Sequence, residues 1–205
     1  MSSPHPRRPS ARARLAAAAA LLLAAAPVLA GCAASDNLAQ QARAGDEKNY
    51  IAGDGSVREY AAESRGEPVE FSSTLFGGKT VDAAGFRGHV TVLNFWYAGC
   101  APCRVEAKDL QALYTQFKAS GTQFYGVNVR DEEATAAAFE RTFGTTYPSF
   151  EDRNGTVLLA MTRYVPPQSV PTTLVLDKQG RVSARILGTA EKGTLKSLIQ
   201  AAQQS

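Results

Sequence analysis

The sequence has few of the side chains that most metal sites need. Its 205 residues include three cysteines and two histidines, His5 and His89. A tetrahedral zinc site takes four ligands, whereas a single Cys-x-x-Cys segment supplies two. With no second such segment and one histidine outside the extreme N-terminus, we expect neither a bound metal nor a cofactor.

The chain also lacks an excess of basic charge outside the N-terminus. The chain carries 22 lysines and arginines against 19 acidic residues, a formal net charge of +3. Without the four arginines at positions 7, 8, 12 and 14, the counts become 18 and 19. There is no basic stripe interleaved with aromatic residues and no glycine-rich phosphate loop, which argues against a nucleic-acid partner.

Only one long apolar run is present, Leu15 to Ala30, and its 16 or so residues fall short of the roughly 20 that span a membrane. It follows the basic segment and ends in Leu29-Ala30-Gly31-Cys32, which resembles the lipobox of bacterial lipoproteins. The resemblance implies that residues 1–31 are a signal peptide and that Cys32 is the lipid attachment site. Arg7-Arg8 leave a twin-arginine export signal as an alternative.

Large apolar residues are sparse between 32 and 66, where Ala, Gln, Gly, Asp and Glu dominate. Such a composition buries too little surface to offset the entropy of ordering, so we predict a flexible tether over 32–66. Tyr50, Ile51 and Val57 are the residues there that would pack on a domain. Residues 67–205 have the length of one ordinary domain.

Within 67–205, apolar patterning and turn residues predict an α/β domain with a central mixed sheet flanked by helices and an N-terminal β-hairpin. Gly121 and Gly144 are predicted to end the first two helices. The predicted elements are a hairpin of Pro68–Ser72 and Lys79–Asp82 around Phe76-Gly77-Gly78, a strand Val90–Trp96, a helix from about Pro102 to Ser120, a strand Phe124–Val129, a helix from Asp131 as its N-cap to Phe143, a weaker helix Thr156–Tyr164, a second hairpin of Thr172–Asp177 and Arg181–Leu187, and a helix from about Glu191 to Gln203.

The segment Cys100-Ala101-Pro102-Cys103 joins the apolar strand to the first helix. A helix N-terminus stabilises a thiolate, which is the reactive form of cysteine, and proline fits the first helical turn. A purely structural disulfide is the alternative, but so short a loop contributes only about 2 kcal/mol. Because Cys32 is expected to carry lipid, Cys100 and Cys103 remain as one pair, and we interpret them as a redox-active couple.

Two segments carry a family resemblance. The run Asn94-Phe95-Trp96-Tyr97-Ala98-Gly99-Cys100-Ala101-Pro102-Cys103-Arg104-Val105-Glu106 resembles the active-site segment of thioredoxin-like proteins, in particular the TlpA/ResA-like branch. The run Val170-Pro171-Thr172-Thr173-Leu174-Val175-Leu176-Asp177 resembles the second signature of that branch. Both occur in the expected order, and the resemblance implies a thioredoxin-like fold for 67–205.

The resemblance also implies residue roles. Cys100 is expected to be the exposed nucleophile and Cys103 the partly buried resolving thiol. Pro171 is expected to be a cis-proline facing the disulfide, with Val170 offering backbone groups to a substrate strand. Glu106 matches an acidic residue that tunes the cysteines in this branch.

The sequence departs from thioredoxin at two positions. Asn94 stands where thioredoxins have a buried aspartate that transfers protons, and Gly99 stands where they have a second tryptophan. Asparagine takes up no proton at neutral pH, so Glu106 or water has to perform that task.

The resemblance implies a membrane-anchored, extracytoplasmic thiol–disulfide oxidoreductase that acts on exported proteins. A reductase of the cytochrome c maturation type, supplied by a membrane thiol carrier and acting as a monomer, is the leading hypothesis. A disulfide-donating oxidase remains an alternative, since the Ala-Pro dipeptide does not fix the reduction potential. A non-catalytic, membrane-tethered binding module is the alternative from another class. A peroxiredoxin is disfavoured because Phe95–Gly99 lacks the proline and threonine that flank a peroxidatic cysteine.

Overall fold

The structure is a computed structural model and describes residues 53–166 and 168–205. The predicted signal peptide, Cys32 and the tether up to residue 52 lie outside the described residues. Within the described ranges no helix is long and apolar enough to cross a membrane. The elements are β1 (Val57–Glu59), β2 (Ser72–Thr74), β3 (Thr80–Asp82), β4 (Thr91–Trp96), α1 (Ala101–Phe117), β5 (Gln123–Asn128), α2 (Glu133–Phe143), β6 (Ser149–Glu151), α3 (Thr156–Ala160), β7 (Thr172–Leu176), β8 (Val182–Leu187) and α4 (Lys192–Gln204).

The described strands form a six-stranded mixed sheet in the order β1-β8-β7-β4-β5-β6, with β2 and β3 as a separate hairpin. β4, β5 and β6 run parallel, whereas β7, β8 and β1 alternate in direction. The predicted mixed sheet, the second hairpin and the four helices are confirmed. The N-terminal hairpin is present, but its first strand is Ser72–Thr74, so the predicted strand Pro68–Ser72 is wrong apart from Ser72. The short strand β6 was not predicted, and α3 ends four residues before the expected Tyr164.

β4 lies inside the sheet between β7 and β5, and every one of its side chains is buried. Alternate residues of a strand point to opposite faces. Val92 lies in a cluster with apolar residues of α1 and α4, while Leu93 and Phe95 lie in a second cluster with Phe86 and Phe150. The central strand is therefore covered on both sides. From its last residue, Trp96, the chain continues into the segment that carries the cysteines.

The folded region begins earlier than predicted. β1 pairs with β8 in antiparallel register, Val57 opposite Ile186 and Glu59 opposite Ala184. Arg65 also donates a hydrogen bond to Asp177 at 2.9 Å. The prediction of a flexible tether is thus wrong for residues 57–66, because main-chain pairing holds a segment whose composition is poor in apolar residues.

The Asp177 carboxylate stabilises the attachment of this N-terminal segment. Its side chain is fully buried and bonds both Arg65 and Arg181. Burial raises the pKa of Asp177, but the backbone N–H of Arg181 and the two guanidinium groups outweigh it and hold the pKa below its usual value.

We predict that Asp177→Ala lowers the free energy of unfolding by about 3 kcal/mol at pH 7, since it leaves two cations without their carboxylate. A carboxyl with a lowered native pKa contributes stability above its unfolded pKa and loses it as the pH falls. The deficit, measured by urea denaturation, should therefore shrink between pH 5 and pH 2. A deficit equal at both pH values contradicts this account.

Candidate active site

Cys100 is the N-cap of α1, and the helix then starts with Ala101 and Pro102. The Cys103 backbone N–H donates to Cys100 Sγ at 3.2 Å, so an unpaired donor of the first turn points at the first sulfur. The two sulfurs form a disulfide of 1.99 Å with a Cα–Cα separation of 5.3 Å. In the reduced protein, the same N–H is placed to stabilise a Cys100 thiolate.

Both cysteines are buried in this oxidised form. Cys100 is 0% exposed and Cys103 is 2% exposed. The expectation of an exposed Cys100 is therefore wrong for this state. The physical reason is that the Cys100 side chain joins a buried cluster that includes Tyr97 and Val170, although its neighbours Gly99 and Ala101 are exposed.

The Val170–Pro171 peptide bond is cis, as the resemblance implies. The Gly188 N–H donates to the Pro171 carbonyl at 2.8 Å and holds this residue at the start of β7. Val170 is buried, and its N–H donates to the Gln168 carbonyl at 3.1 Å. The suggested pairing of Val170 with a substrate strand stays a prediction, and it competes with this internal hydrogen bond.

Glu106 is a buried carboxyl in the second turn of α1, 1% exposed. Its Oε1 accepts from Asn94 Nδ2 at 2.7 Å, and its Oε2 accepts from the Ala190 N–H at 2.6 Å. Burial raises the pKa of Glu106 from 4.5 to about 8, and these two hydrogen bonds only partly oppose the rise. Glu106 can therefore hold or release a proton close to neutral pH.

Asp131 stabilises the loop before Cys100 and does not cap α2. The sequence predicts Asp131 as the N-cap of α2, but Glu132 occupies that position. Instead, Asp131 Oδ2 accepts from the Ala98 N–H at 2.6 Å and from Asn128 Nδ2 at 2.9 Å. Asp131 thereby fixes the loop that leads into Cys100. This contact joins segments that are distant in the chain, so the residues around Asp131 do not predict it.

No group of three or more histidine, cysteine, aspartate or glutamate side chains in the described ranges is arranged to hold a metal ion. The histidine at position 89 instead bonds the Gly121 carbonyl through Nδ1 at 3.0 Å. What the cysteine segment offers chemically is a dithiol–disulfide couple with an adjacent buried acid.

Comparison with known proteins decides the family. The model of the AhpC/TSA family matches residues 66–185, which is more than half of the chain. The chain belongs to the AhpC/TSA family. The thiol-disulfide oxidoreductase ResA of Geobacillus kaustophilus is 35% identical to this chain over 123 residues, covering 60% of this chain and 68% of that protein. This AhpC/TSA protein is accordingly a ResA-like thiol–disulfide oxidoreductase.

Solved structures of similar proteins confirm the thioredoxin-like fold. A secreted thiol-disulfide isomerase from Corynebacterium glutamicum superposes with a TM-score of 0.65 at 28% identity, covering 74% of this chain and 95% of that one. A DsbF homologue from Corynebacterium diphtheriae gives 0.61 at 31% identity, covering 73% and 94%. The TlpA/ResA-like resemblance read from the two motifs is thus confirmed.

We predict that Glu106→Gln removes a pH dependence of stability. Because the native pKa of Glu106 is about 8 and the usual value is 4.5, the folded protein holds a proton that the unfolded chain releases between these pH values. Stability from this group is full at low pH and is lost as the pH rises through 8. The loss should be on the order of a few kcal/mol.

The measurement is urea denaturation of the oxidised protein at pH 5, 6.5 and 8. Glu140→Gln is the matched control, since burial also raises the pKa of Glu140, which is only partly buried and accepts a hydrogen bond from Ser149. If Glu106→Gln follows the same pH curve as the unsubstituted protein, the assignment of a protonatable Glu106 is wrong.

Proposed function

We propose that this oxidoreductase works as a reductase of disulfides in exported proteins, of the kind used in cytochrome c maturation. The observation that carries the proposal is the protonatable Glu106, buried one helical turn beyond Cys103 and bonded to the central strand through Asn94. A reductase has to manage the protons of two thiols, and a carboxyl with a pKa of about 8 is suited to that at neutral pH.

In the proposed reaction, the Cys100 thiolate attacks a substrate disulfide and forms a mixed disulfide. Cys103 then attacks Cys100 Sγ, the Cys100–Cys103 bond forms, and the substrate leaves as a dithiol. Two electrons pass to the substrate, and a membrane thiol carrier returns the enzyme to the dithiol form. Pro171 and Val170 are proposed to contact the substrate segment beside the disulfide.

The reductase proposal is tested by the reduction potential of the Cys100–Cys103 couple. Potentials in this fold range from about −270 mV for reductants to about −120 mV for oxidants. We expect a value near the reducing end in glutathione or dithiothreitol equilibration. A value near −120 mV contradicts the reductase and favours the disulfide-donating oxidase.

Order of attack is tested with Cys103→Ser. With the resolving sulfur removed, the mixed disulfide through Cys100 should accumulate with a disulfide-containing peptide and be visible on non-reducing gels. Cys100→Ser is the matched control and should trap much less. Equal trapping by both variants contradicts the assignment of Cys100 as the nucleophile.

We further propose that the protein acts outside the cytoplasm, attached to the membrane by lipid on Cys32. The support is the lipobox-like Leu29-Ala30-Gly31-Cys32 after a basic and apolar segment, together with the similarity to a secreted protein. Cys32→Ser should abolish labelling by a radioactive fatty acid. Labelling that persists in Cys32→Ser would contradict lipid attachment at Cys32.

A further inference from the structure

A small internal cavity adjoins the resolving cysteine. It lies between β4, α1 and α2, and Asn94, Cys103, Thr145 and Tyr147 are among its lining residues. The space open to the centre of a water molecule is about 10 Å³. That is close to the volume that a single water molecule requires.

The cavity has a polar group that lacks a partner. Thr145 Oγ1 is buried and makes no hydrogen bond to the described residues. A buried hydroxyl without a partner costs about 1–3 kcal/mol, so such groups are ordinarily bonded to protein or to ordered water. Asn94, which also lines the cavity, donates its amide nitrogen to Glu106 and Thr173.

The backbone of Thr145 is held in place from two directions. α2 ends at Gly144, whose φ of 71° is the left-handed conformation of a helix C-cap, and the Thr145 N–H donates to the Glu140 carbonyl at 2.9 Å. The next residue, Thr146, exchanges two hydrogen bonds with the Gln111 side chain on α1. Thr145 therefore keeps a fixed position at the cavity beside Cys103.

We infer that Thr145 is a positioning residue that holds one water molecule against Cys103, and that this water takes the Cys103 proton when the mixed disulfide is resolved. The inference rests on the proposed reductase reaction. In that step the Cys103 Sγ–H bond breaks and its proton passes to the water. The Cys103 sulfur bonds to Cys100 Sγ, the bond from Cys100 to the substrate sulfur breaks, and the substrate sulfur leaves with the electron pair. That sulfur then takes up the proton, so the substrate is released as a thiol and the water is regenerated.

Three titratable groups face this region from the neighbouring elements. Glu106 of α1 connects to the cavity through Asn94. Tyr147 lines the cavity, and burial followed by the nearby charges of Glu106 and Glu140 raises its pKa, so it stays protonated. Glu140 of α2 accepts a hydrogen bond from Ser149. Titration of Glu106 can therefore also change the rate of resolution with pH, and the test has to separate that change from the effect of Thr145.

The test compares Thr145→Val, which keeps the shape and removes the hydroxyl, with Thr145→Ser, which restores it. Reduced protein is mixed with a disulfide peptide in single turnover, and formation and resolution of the mixed disulfide are followed separately. We expect Thr145→Val to slow resolution about tenfold or more at pH 7 and to leave formation unchanged. Thr145→Ser should resolve at close to the unsubstituted rate.

A pH profile separates this role from a purely structural one. In Thr145→Val, resolution should recover toward the unsubstituted rate at high pH, where Cys103 is already a thiolate, whereas a packing defect would slow it at every pH. Resolution by Thr145→Val at the unsubstituted rate at pH 7, or equal slowing by both variants, overturns the inference. Failure of the unsubstituted protein to form a mixed disulfide would overturn the proposed function instead.

Discussion

The hydrogen bond between Asn94 and Glu106 ties the central strand to the helix that carries both cysteines. β4 is buried along its whole length, so a polar side chain on it has to find its partner inside the protein. Glu106 supplies that partner, and its other oxygen takes the Ala190 N–H from the segment before α4. Strand, active-site helix and C-terminal segment are therefore fixed relative to one another through a single carboxyl group.

This bond also explains the departure from thioredoxin at position 94. The acid lies on the helix, 12 residues further along the chain, and the strand position carries a hydrogen-bond donor. An aspartate at position 94 would place two carboxyl groups within bonding distance, where like charges cannot both ionise at low cost. Asparagine instead donates a hydrogen bond that orients Glu106, and it adds no second charge that would compete with ionisation of Glu106.

Much of the fold was predictable because local patterns and tertiary structure agree. The continuous apolar run of β4 marks a strand covered on both faces, and Gly121 and Gly144 end their helical segments with φ of 81° and 71°. The position of the cysteine pair at the start of a helix was predictable, because the apolar strand pattern ends just before the pair and a helical pattern begins with it. Burial of Glu106 was not predictable from its own turn of helix, because the cover comes from residues far along the chain.

What could not be predicted depends on contacts between distant segments. β1 has three exposed side chains and is held by main-chain bonds to β8, which no apolar pattern signals. Asp131 has the residue type and place of a helix cap, yet its carboxylate accepts a hydrogen bond from the Ala98 N–H in the loop after the neighbouring strand β4. Cys100 is buried by the surrounding cluster and not by its immediate neighbours in sequence.

The pairing of β1 with β8 bears on how this domain stays soluble. The sheet ends in two strands of three residues each, β1 and β6, and β1 carries Arg58 and Glu59. Short, charged edges resist pairing with a second molecule. A chain shortened to begin at residue 67 would lose β1 and present β8, six residues with five of them buried in the intact fold, as a new open edge. By pairing with β8, β1 thus protects the sheet from edge-to-edge aggregation.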